Sequence, residues 1–590
     1  MFMVDEDFVY RTKHLFNVAQ GKEQAHLAVI QATLANVYTG EMLENQTICI
    51  WDKWIVYVGQ NPGWAIGPDT EIIDAGEKAV IPGLVDAHTH ISDWRYTPNT
   101  FLEHVIPGGT TAIVTETVEP YAVGGYEGVI DFMNSLVDQP IHFFGTAPPS
   151  ISISPNFPPI SLDHLQDLLS RSDIIGLGES FWQVLLNDSD RILPIFEAVL
   201  SKEKLLEGHS AGAADNKLNA YVAAGISSCH EPINAQEALD RLRLGLYVMI
   251  RQGSIRKDLQ EIAALGRAEV DPRRLILVTD GMGPEDLLEK GYMEYVVQKA
   301  MDSGFTFMEA IQMATLNPAT HFNLDHMIGG IAPGRYADLS ILSDTSTIQP
   351  ELVIGKGRII ARHGQCLTVA RVHQFQTQSM DSVHLPSPFT AADFKIPINE
   401  ARNKVTIRLI DMITDLVSAE AQAELQVMDG EIAAVPSQDI AKIAAINRTN
   451  NPGQIFVGLI RGFGIKSGAF ASSSSWDLGN ILVVGTSDVD MAEAVNRIQV
   501  LKGGVTVCRQ GKIMTELSLP IMGLMTDLSI PDLVQSIDWV KASLQTLGVN
   551  FRNPILTLNT LTGAAIPFLR ICEHGLVNLK SGPCSLIVSE

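Results

Sequence analysis

The feature of this chain that most restricts its fold is an alternation of apolar runs and helical stretches between residues 80 and 330. The runs include "TTAIVTE", "IHFFGTA", "IIGLGES", "LLEGHS", "GISSCHE" and "RLILVTDG". Strands that alternate with helices build βαβ units and a parallel sheet. Six or more such units over about 250 residues predict a (β/α)₈ barrel, with a doubly wound sheet as the structural alternative.

The segments on both sides of the predicted barrel have β character. Short strand-like runs occupy residues 27–79, and similar runs return in "GGIAPGRYADLSILSD" and "PELVIGKGRIIARHG". The C-terminal part has its own alternating runs, such as "NILVVG", and amphipathic helices. We therefore expect five parts: 1–79, an N-terminal extension with the first part of a small composite β domain; 80–330, the barrel; 331–370, the second part of the β domain; 371–400, a linker; and 401–590, a C-terminal α/β domain.

The composition restricts the partners of this protein. The 590 residues carry a formal net charge of −25, which disfavours nucleic acid and anionic membranes because both bind basic surfaces. The N-terminal residues have no apolar signal-peptide core, and no charge-free apolar run is long enough to cross a membrane. Six scattered cysteines without a C-x-x-C pair do not form a disulfide framework or a thiolate zinc cluster. These features predict a cytoplasmic protein with a small neutral or cationic substrate.

Two histidines stand one residue apart in "VIPGLVDAHTHISDW". In an extended chain His88 and His90 point to the same face, where two imidazoles can bind one metal. A chance pair on the surface or two hydrogen-bonded core histidines would give the same sequence pattern. Other metal-binding side chains follow later barrel strands, and the carboxyl ends of barrel strands meet at one mouth. The set is sufficient for two divalent ions that activate water, and comprises His88, His90, Glu116, Glu179, His209, His230 and Asp280.

Several motifs identify a resemblance to a known family. "VIPGLVDAHTH", "GHSAGAADNKLNAYVAAGISSCHE", "RQGSIRKDL" and "ATLNPATHFNL" followed by "GGIAPGRYADLSIL" resemble segments of the adenine deaminases of the amidohydrolase superfamily. Near the C-terminus, "GFGIKSGAFASSSS", "VGTSDVDMAEAVN" and "LSLPIMGLMTDL" are similar to the additional domain of these enzymes. The resemblance covers residues 27 to 580. It implies an amidohydrolase barrel, a composite β domain and a C-terminal domain of the adenine-deaminase type.

The resemblance also implies an activity and the roles of the residues. It implies hydrolytic deamination of adenine to hypoxanthine and ammonia in purine salvage, two divalent ions (Mn²⁺ or Fe²⁺, with Zn²⁺ as the alternative) and a homo-oligomer. Asp280 is the expected proton shuttle, and Glu179 is expected to bridge the metals or to act as acid and base. The implied metal ligands are His88, His90, Glu179, His209, His230 and Asp280; Glu116, Glu119 and Glu231 are expected to bind substrate or to support the ligands.

The chain also departs from the family pattern. Where the family reads Asp-Pro-His-Glu-Ile, this chain has "ETVEP", so that Glu116 and Val118 replace an acid and an imidazole. "DGMGPED" retains only Asp280 of an Asp-Asp-Arg motif. "WDLGN" replaces His-Asp-Ser-His-Asn and follows "SSSS", which we expect to be a polar loop. The alternatives are an amidohydrolase for a purine analogue or a cyclic amide, and a degenerate paralogue that binds without catalysis.

Two other interpretations concern nucleophiles and zinc. Cys229 precedes His230, but neighbouring side chains on a strand face opposite ways, which disfavours a Cys–His nucleophile. The H-x-E…P-C-x-x-C signature of cytidine-deaminase-type zinc enzymes is absent from the sequence.

Overall fold

A computed structural model describes residues 8–149, 152–267, 270–398, 403–566 and 568–588. The barrel consists of eight strands, and parallel pairing joins the first five strands to one another and the last three to one another. The eight strands are Leu84–Thr89, Thr110–Thr115, His142–Ala147, Ile174–Phe181, Leu205–His209, Ser228–Cys229, Tyr247–Arg251 and Leu275–Val278.

Backbone hydrogen bonds join the two groups of strands into a closed barrel. Ser227 N donates to Leu206 O at 3.0 Å, which links the fifth and sixth strands. Asp280 N donates to His88 O at 3.1 Å, so that the eighth strand returns to the first. The first three strands are buried along their whole length, as expected for parallel strands covered on both faces. The prediction of a barrel is confirmed, and the doubly wound sheet is not observed.

Helices cover the outside of the barrel. The longest, Val118–Leu136, follows the second strand and contains one left-handed residue, Gly125, at φ 59°. The other helices of the barrel are Pro98–Val105, Leu162–Ser170, Trp182–Asn187, Ser189–Leu200, Asp215–Ala223, Ala235–Arg243, Leu259–Ile262, Ala264–Arg267, Pro284–Lys290, Met293–Ser303, Phe307–Met313 and Leu316–His321.

The β segments before and after the barrel share one nine-stranded sheet. The central contact joins Ala79–Pro82 to Leu339–Leu342 in antiparallel register, with Ile81 opposite Ser340. The N-terminal helix Phe8–Ala19 lies against this sheet, where His14 stacks on Trp51. The remaining strands are Leu27–Asn36, Glu41–Trp51, Trp54–Gly59, Glu71–Asp74, Pro350–Gly355, Arg358–Arg362 and Gln365–Cys366.

The C-terminal part is built on an eight-stranded, mainly antiparallel sheet. Its strands are Lys404–Met412, Ser418–Gln426, Ile440–Asn447, Ile455–Arg461, Ala469–Ser472, Asn480–Gly485, Gly504–Arg509 and Lys512–Ser518. The longer helices Asp488–Leu501 and Ile530–Thr546 pack on it. Shorter elements complete it: the helices Thr377–Met380 and Pro554–Asn559, the strand pair Ile396–Pro397 and Glu431–Ile432, and the strands Leu569–Cys572, Gly575–Asn578 and Gly582–Cys584.

The segment expected to be a linker, 371–400, contributes to the packing wherever it is described. Asp131 of the barrel accepts hydrogen bonds from His373 Nε2 and Ser379 Oγ, and Phe394 is fully buried. His373 and Ser379 therefore attach this segment to the barrel. Among the described residues no helix is long and apolar enough to cross a membrane.

Candidate active site

The predicted ligands lie at the carboxyl ends of the barrel strands. His88 is in the first strand and His90 follows it; Glu179 is near the end of the fourth strand. His209 ends the fifth strand, and His230 directly follows the sixth. Asp280 comes two residues after the eighth strand, in a left-handed conformation with φ 55°. The barrel brings these side chains to one mouth, although they span almost 200 positions of the sequence.

Glu179 is the centre of this arrangement. Its Oε1 atom lies 3.2 Å from Nε2 of His88, 3.3 Å from Nε2 of His90 and 3.2 Å from Nε2 of His230. Asp280 Oδ1 is 3.4 Å from His88 Nε2 and 3.8 Å from His90 Nε2. One carboxylate oxygen therefore faces three imidazole nitrogens, and a second carboxylate lies beside two of them.

A second group of side chains continues from His230. Glu231 Oε1 lies 3.2 Å from His230 Nε2 and 3.3 Å from His209 Nε2. Arg251 Nη1 donates to the same carboxylate and lies 3.4 Å from Asp280 Oδ2, while Arg251 Nε donates to Asp258 at 2.9 Å. Glu231 thus takes part in the cluster itself, beyond a supporting role.

Glu119 and Glu116 lie behind the histidines of the first strand. His90 Nδ1 donates to Glu119 Oε1 at 2.9 Å, which fixes the ring and directs its Nε2 towards Glu179. Ser92 Oγ also donates to Glu119. Glu116 is 1 % exposed, its Oε1 lies 3.6 Å from His88 Nδ1, and neither of its oxygens has a hydrogen-bond partner among the described residues. Glu119 therefore positions a predicted ligand, and Glu116 is a buried acid below the cluster.

Burial and charge act in opposite directions on these carboxyl groups. Burial alone would raise the pKa of Glu179, but the histidines at 3.2–3.3 Å hold it well below its usual range. Burial likewise opposes ionisation of Glu231 and Asp280, yet Arg251 and the histidines lower both pKa values. Burial raises the pKa of Glu116 to about 7, because the charge of the nearby His88 only partly offsets the cost of removing the carboxylate from water. The carboxyl groups of Glu179, Glu231 and Asp280 are therefore ionised at neutral pH.

The donor set fits a divalent metal. His88, Glu179, His230 and Asp280 each offer one atom, and these atoms lie within 4.8 Å of one another; His209, His230 and Glu231 form a second such group. His88 Nε2 is buried and has no hydrogen-bond partner in the part of the chain that the structure describes, although it faces the group. Imidazole nitrogens and carboxylate oxygens are ligands of Zn²⁺, Fe²⁺ and Mn²⁺. The donor atoms of the cluster are therefore those of a divalent metal site.

A cavity of about 270 Å³ lies over the cluster, between the barrel and the C-terminal part. We call its two sides the barrel wall and the C-terminal wall. The barrel wall includes His90, Glu179, His209, His230 and Asp280. The C-terminal wall consists of Leu416, Val417, Trp476, Asp477, Ala565 and Ile566.

Some residues of the cavity were not among the predicted site residues. Arg251, which is 3 % exposed, ends the seventh strand in "RQGSIRKDL", a segment that had carried only the family resemblance. Its position at a strand end was the signal that could have identified it. Asp93 also lines the cavity, and with His90 and Glu119 it forms a third acidic and imidazole group. Cys229 instead contacts Ser210 Oγ at 2.8 Å, so no Cys–His nucleophile forms.

Comparison with known proteins assigns the family. Residues 79–360 match the family model of the amidohydrolases, and residues 415–582 match that of the adenine deaminase C-terminal domain. An adenine deaminase of Moorella thermoacetica is 35% identical over 96% of both chains, and one of Clostridium botulinum (strain 657) is 32% identical over 96% of both. One of Cenarchaeum symbiosum is 32% identical over 95% of this chain and 93% of its own. This chain therefore belongs to the adenine deaminase family of the amidohydrolases.

Proposed function

We propose that this protein hydrolyses adenine to hypoxanthine and ammonia with the help of two bound divalent ions. In this reaction the oxygen of water forms a bond to C6 of the purine, the bond between C6 and the amino nitrogen breaks, and ammonia leaves. The observation that carries the proposal is the position of Glu179 Oε1, 3.2–3.3 Å from three imidazole Nε2 atoms, in a chain of this family.

The ions would be held by His88, His90, Glu179, His209, His230 and Asp280, and Glu231 is an additional candidate ligand. When bound, divalent ions lower the pKa of water and orient it. Glu179 lies between the other proposed ligands and would contribute to holding both ions. His90 is oriented for its role by the hydrogen bond to Glu119.

Asp280 is the proposed proton shuttle. Its low pKa keeps the carboxylate ionised, so that it can take a proton from the attacking water and deliver it to the ring or to the leaving amino group. Arg251 Nη1 lies 3.4 Å from Asp280 Oδ2 and holds this carboxylate at the edge of the cavity. Glu179 is the alternative acid and base, although its three histidine contacts favour a ligand role.

Finer points of the assignment are also proposals. We propose Mn²⁺ or Fe²⁺ as the ions, with Zn²⁺ as the alternative, a role in purine salvage, a cytoplasmic location and a homo-oligomeric assembly. The net charge of −25 supports a small-molecule substrate over nucleic acid. We also propose the division into the composite β domain, the barrel, the connecting segment and the C-terminal domain; the shared nine-stranded sheet supports its first part.

The test is a substrate screen with protein reconstituted with Mn²⁺ or Fe²⁺. Ammonia release is measured with adenine, other 6-aminopurines and a panel of cyclic amides, and each assay is repeated after chelation of the metal. We expect metal-dependent release from adenine. Turnover of a cyclic amide but not of adenine would replace the proposed substrate, and no turnover by the metal-loaded protein would favour a degenerate paralogue.

A further inference from the structure

Asp477 lies on the C-terminal wall of the cavity, but outside the metal-binding groups. It lines the same space as His90, Glu179 and Asp280. Among the described residues, three groups of histidines and acids come within 4.8 Å of one another, and Asp477 belongs to none of them. Asp477 therefore lines the space for a small molecule without belonging to a metal-binding group.

The loop that carries Asp477 is fixed on both sides. Trp476 N donates to Asn559 O at 3.0 Å, and Trp476 O accepts from Thr562 Oγ1 at 2.6 Å. On the barrel side, Gly479 approaches Ala122 O so closely that a Cβ atom there would lie 2.7 Å from this oxygen. The loop is thus held between the barrel and the segment that precedes Ala565, and the position of the acid is set by both parts of the molecule.

Asp477 itself has an unusual backbone conformation. Its φ of 58° lies in the left-handed region, which costs a non-glycine residue free energy and is tolerated best by Asp and Asn. Such residues persist where the surroundings impose the conformation, and they are concentrated at functional sites.

The carboxyl group retains hydrogen-bonding capacity. Its Oδ2 atom accepts from Ala564 N at 2.8 Å, and no partner of Oδ1 is found among the described residues. Burial raises the pKa of Asp477 to about 7, against the lowering effect of the Ala564 N–H. A neutral carboxyl offers one donor and an acceptor. A 6-aminopurine presents the matching pattern, because a ring nitrogen with a lone pair lies beside an N–H group on more than one of its edges.

We propose that Asp477 is a specificity-determining residue, which binds the ring of a 6-aminopurine by hydrogen bonds from the C-terminal wall. The inference rests on the proposed function, and it adds the residue by which the C-terminal domain recognises the base. In this arrangement the barrel wall acts on C6 and its amino group, while Asp477 contacts another ring position. A substrate without that ring nitrogen or N–H would lose the contact.

The experiment compares Asp477→Ala and Asp477→Asn with the wild type as metal-loaded full-length protein. Asp538→Ala is the matched control, because Asp538 is an exposed acid of the same domain outside the cavity. Each variant is assayed with adenine, and 3-deazaadenine, 7-deazaadenine and 9-methyladenine are tested as substrates or competitive inhibitors. Metal content is measured for every variant, so that an effect on the metals is separated from an effect on the ring.

We expect Asp477→Ala to lower kcat/KM for adenine about 10- to 100-fold with unchanged metal content, the usual effect of losing a hydrogen bond to a buried polar group. Asp477→Asn should lose less, since an amide keeps a donor and an acceptor, and Asp538→Ala should match the wild type. For one of the three analogues, Asp477→Ala should bind or react almost as well as the wild type, because that analogue lacks or blocks the ring nitrogen that Asp477 contacts.

Two results would overturn the proposal: wild-type kcat/KM in Asp477→Ala, or an equal loss on adenine and on all three analogues, which would indicate a structural role. Failure of the proposed function gives a different pattern, because the wild type would then not release ammonia from any 6-aminopurine. In that case calorimetric binding of adenine still decides the inference. Weaker binding by Asp477→Ala supports it, and equal binding overturns it.

Discussion

The two walls of the cavity contain carboxyl groups with opposite behaviour. Glu179 on the barrel wall is surrounded by three imidazoles, and its pKa is held well below the usual range despite burial. Asp477 on the C-terminal wall has one backbone N–H as its hydrogen-bond donor, and burial raises its pKa to about 7. The difference shows that the partners of a buried acid, more than burial itself, decide its charge.

This contrast suggests different roles for the two walls of the proposed site. The barrel wall concentrates ionised carboxylates, histidines and Arg251, which suit metal binding and proton transfer. Asp477 is the one ionisable residue among the six that make up the C-terminal wall, and its neighbours Leu416, Trp476 and Ile566 are apolar or aromatic. We therefore expect substitutions on the barrel wall to affect chemistry, and substitutions on the C-terminal wall to affect substrate binding.

The largest effect is expected from Asp280→Asn on the barrel wall. Loss of the proposed proton shuttle should lower kcat about 10²- to 10⁴-fold, the range typical of general acid–base groups. Metal content, measured by mass spectrometry, should remain largely intact because the other ligands are kept. Asp302→Asn, at an exposed position on a barrel helix, is the control. A variant with wild-type kcat would remove Asp280 from the chemistry.

A pH-dependent effect on stability is expected from Asp477→Asn. With a pKa of about 7 in the folded state and an ordinary one in the unfolded chain, wild-type Asp477 keeps its proton only when folded between about pH 4 and pH 7. Wild-type stability therefore falls relative to the Asn variant as the pH rises through this window. The resulting difference in the free energy of unfolding between the two proteins should be on the order of 2 kcal/mol, a value that already allows for partial exposure of Asp477 to cavity water.

Chemical denaturation of metal-free wild-type and Asp477→Asn proteins from pH 4.5 to pH 8 measures this effect. The difference in the free energy of unfolding should grow up to about pH 7 and then stay constant. A difference that does not change with pH would show that Asp477 has an ordinary pKa, and the contrast between the two walls would disappear.

A smaller effect is expected from Trp476→Ala. The indole lines the cavity, and loss of an aromatic contact is usually worth about 0.5–1.5 kcal/mol, or up to about tenfold in kcat/KM. The change should appear in KM, with kcat little altered, because the barrel wall remains. Trp539→Ala on the exposed side of the same domain serves as the control. A loss confined to kcat would contradict a binding role.

The smallest effect is expected at the contact between the two parts of the molecule. Lys541 Nζ lies 2.6 Å from Glu285 Oε1, and both side chains are partly exposed. Such ion pairs contribute about 0–1 kcal/mol, so Lys541→Ala should lower the free energy of unfolding by no more than about 1 kcal/mol. Steady-state kinetics should be unchanged. A clear loss of activity would show that this contact helps to position the C-terminal wall.

The barrel, and the histidines and acids at its mouth, could be predicted because each strand end carries its own signal in the sequence. His88, Glu179, His209 and Asp280 each lie at or just after an apolar run, and the geometry of a parallel barrel places all strand ends together. The apolar runs marked the ends of the strands closely enough for these residues to be found. Arg251 follows the same rule, but an arginine does not bind a metal ion, so a pattern of metal-binding side chains does not include it.

The C-terminal wall could not be predicted in this way. Trp476 and Asp477 lie in a loop whose position depends on contacts with Asn559 and Ala122, far away in the sequence. The stretch "SSSSWD" begins at the end of a strand with Ser472 and continues as a loop from Ser473, as expected, but its four serines are buried, at most 2 % exposed. Their hydroxyls form internal hydrogen bonds, as Ser473 Oγ does with Gly523 O, and composition alone does not reveal such partners.

The most direct test is a crystal structure of the Mn²⁺-loaded protein with hypoxanthine bound, with the metals located by anomalous scattering. The account predicts two manganese peaks that share Glu179, and a purine ring between the barrel wall and the C-terminal wall, with a ring nitrogen in hydrogen-bonding distance of Asp477. Absence of manganese at Glu179, or a purine bound outside this cavity, would contradict it.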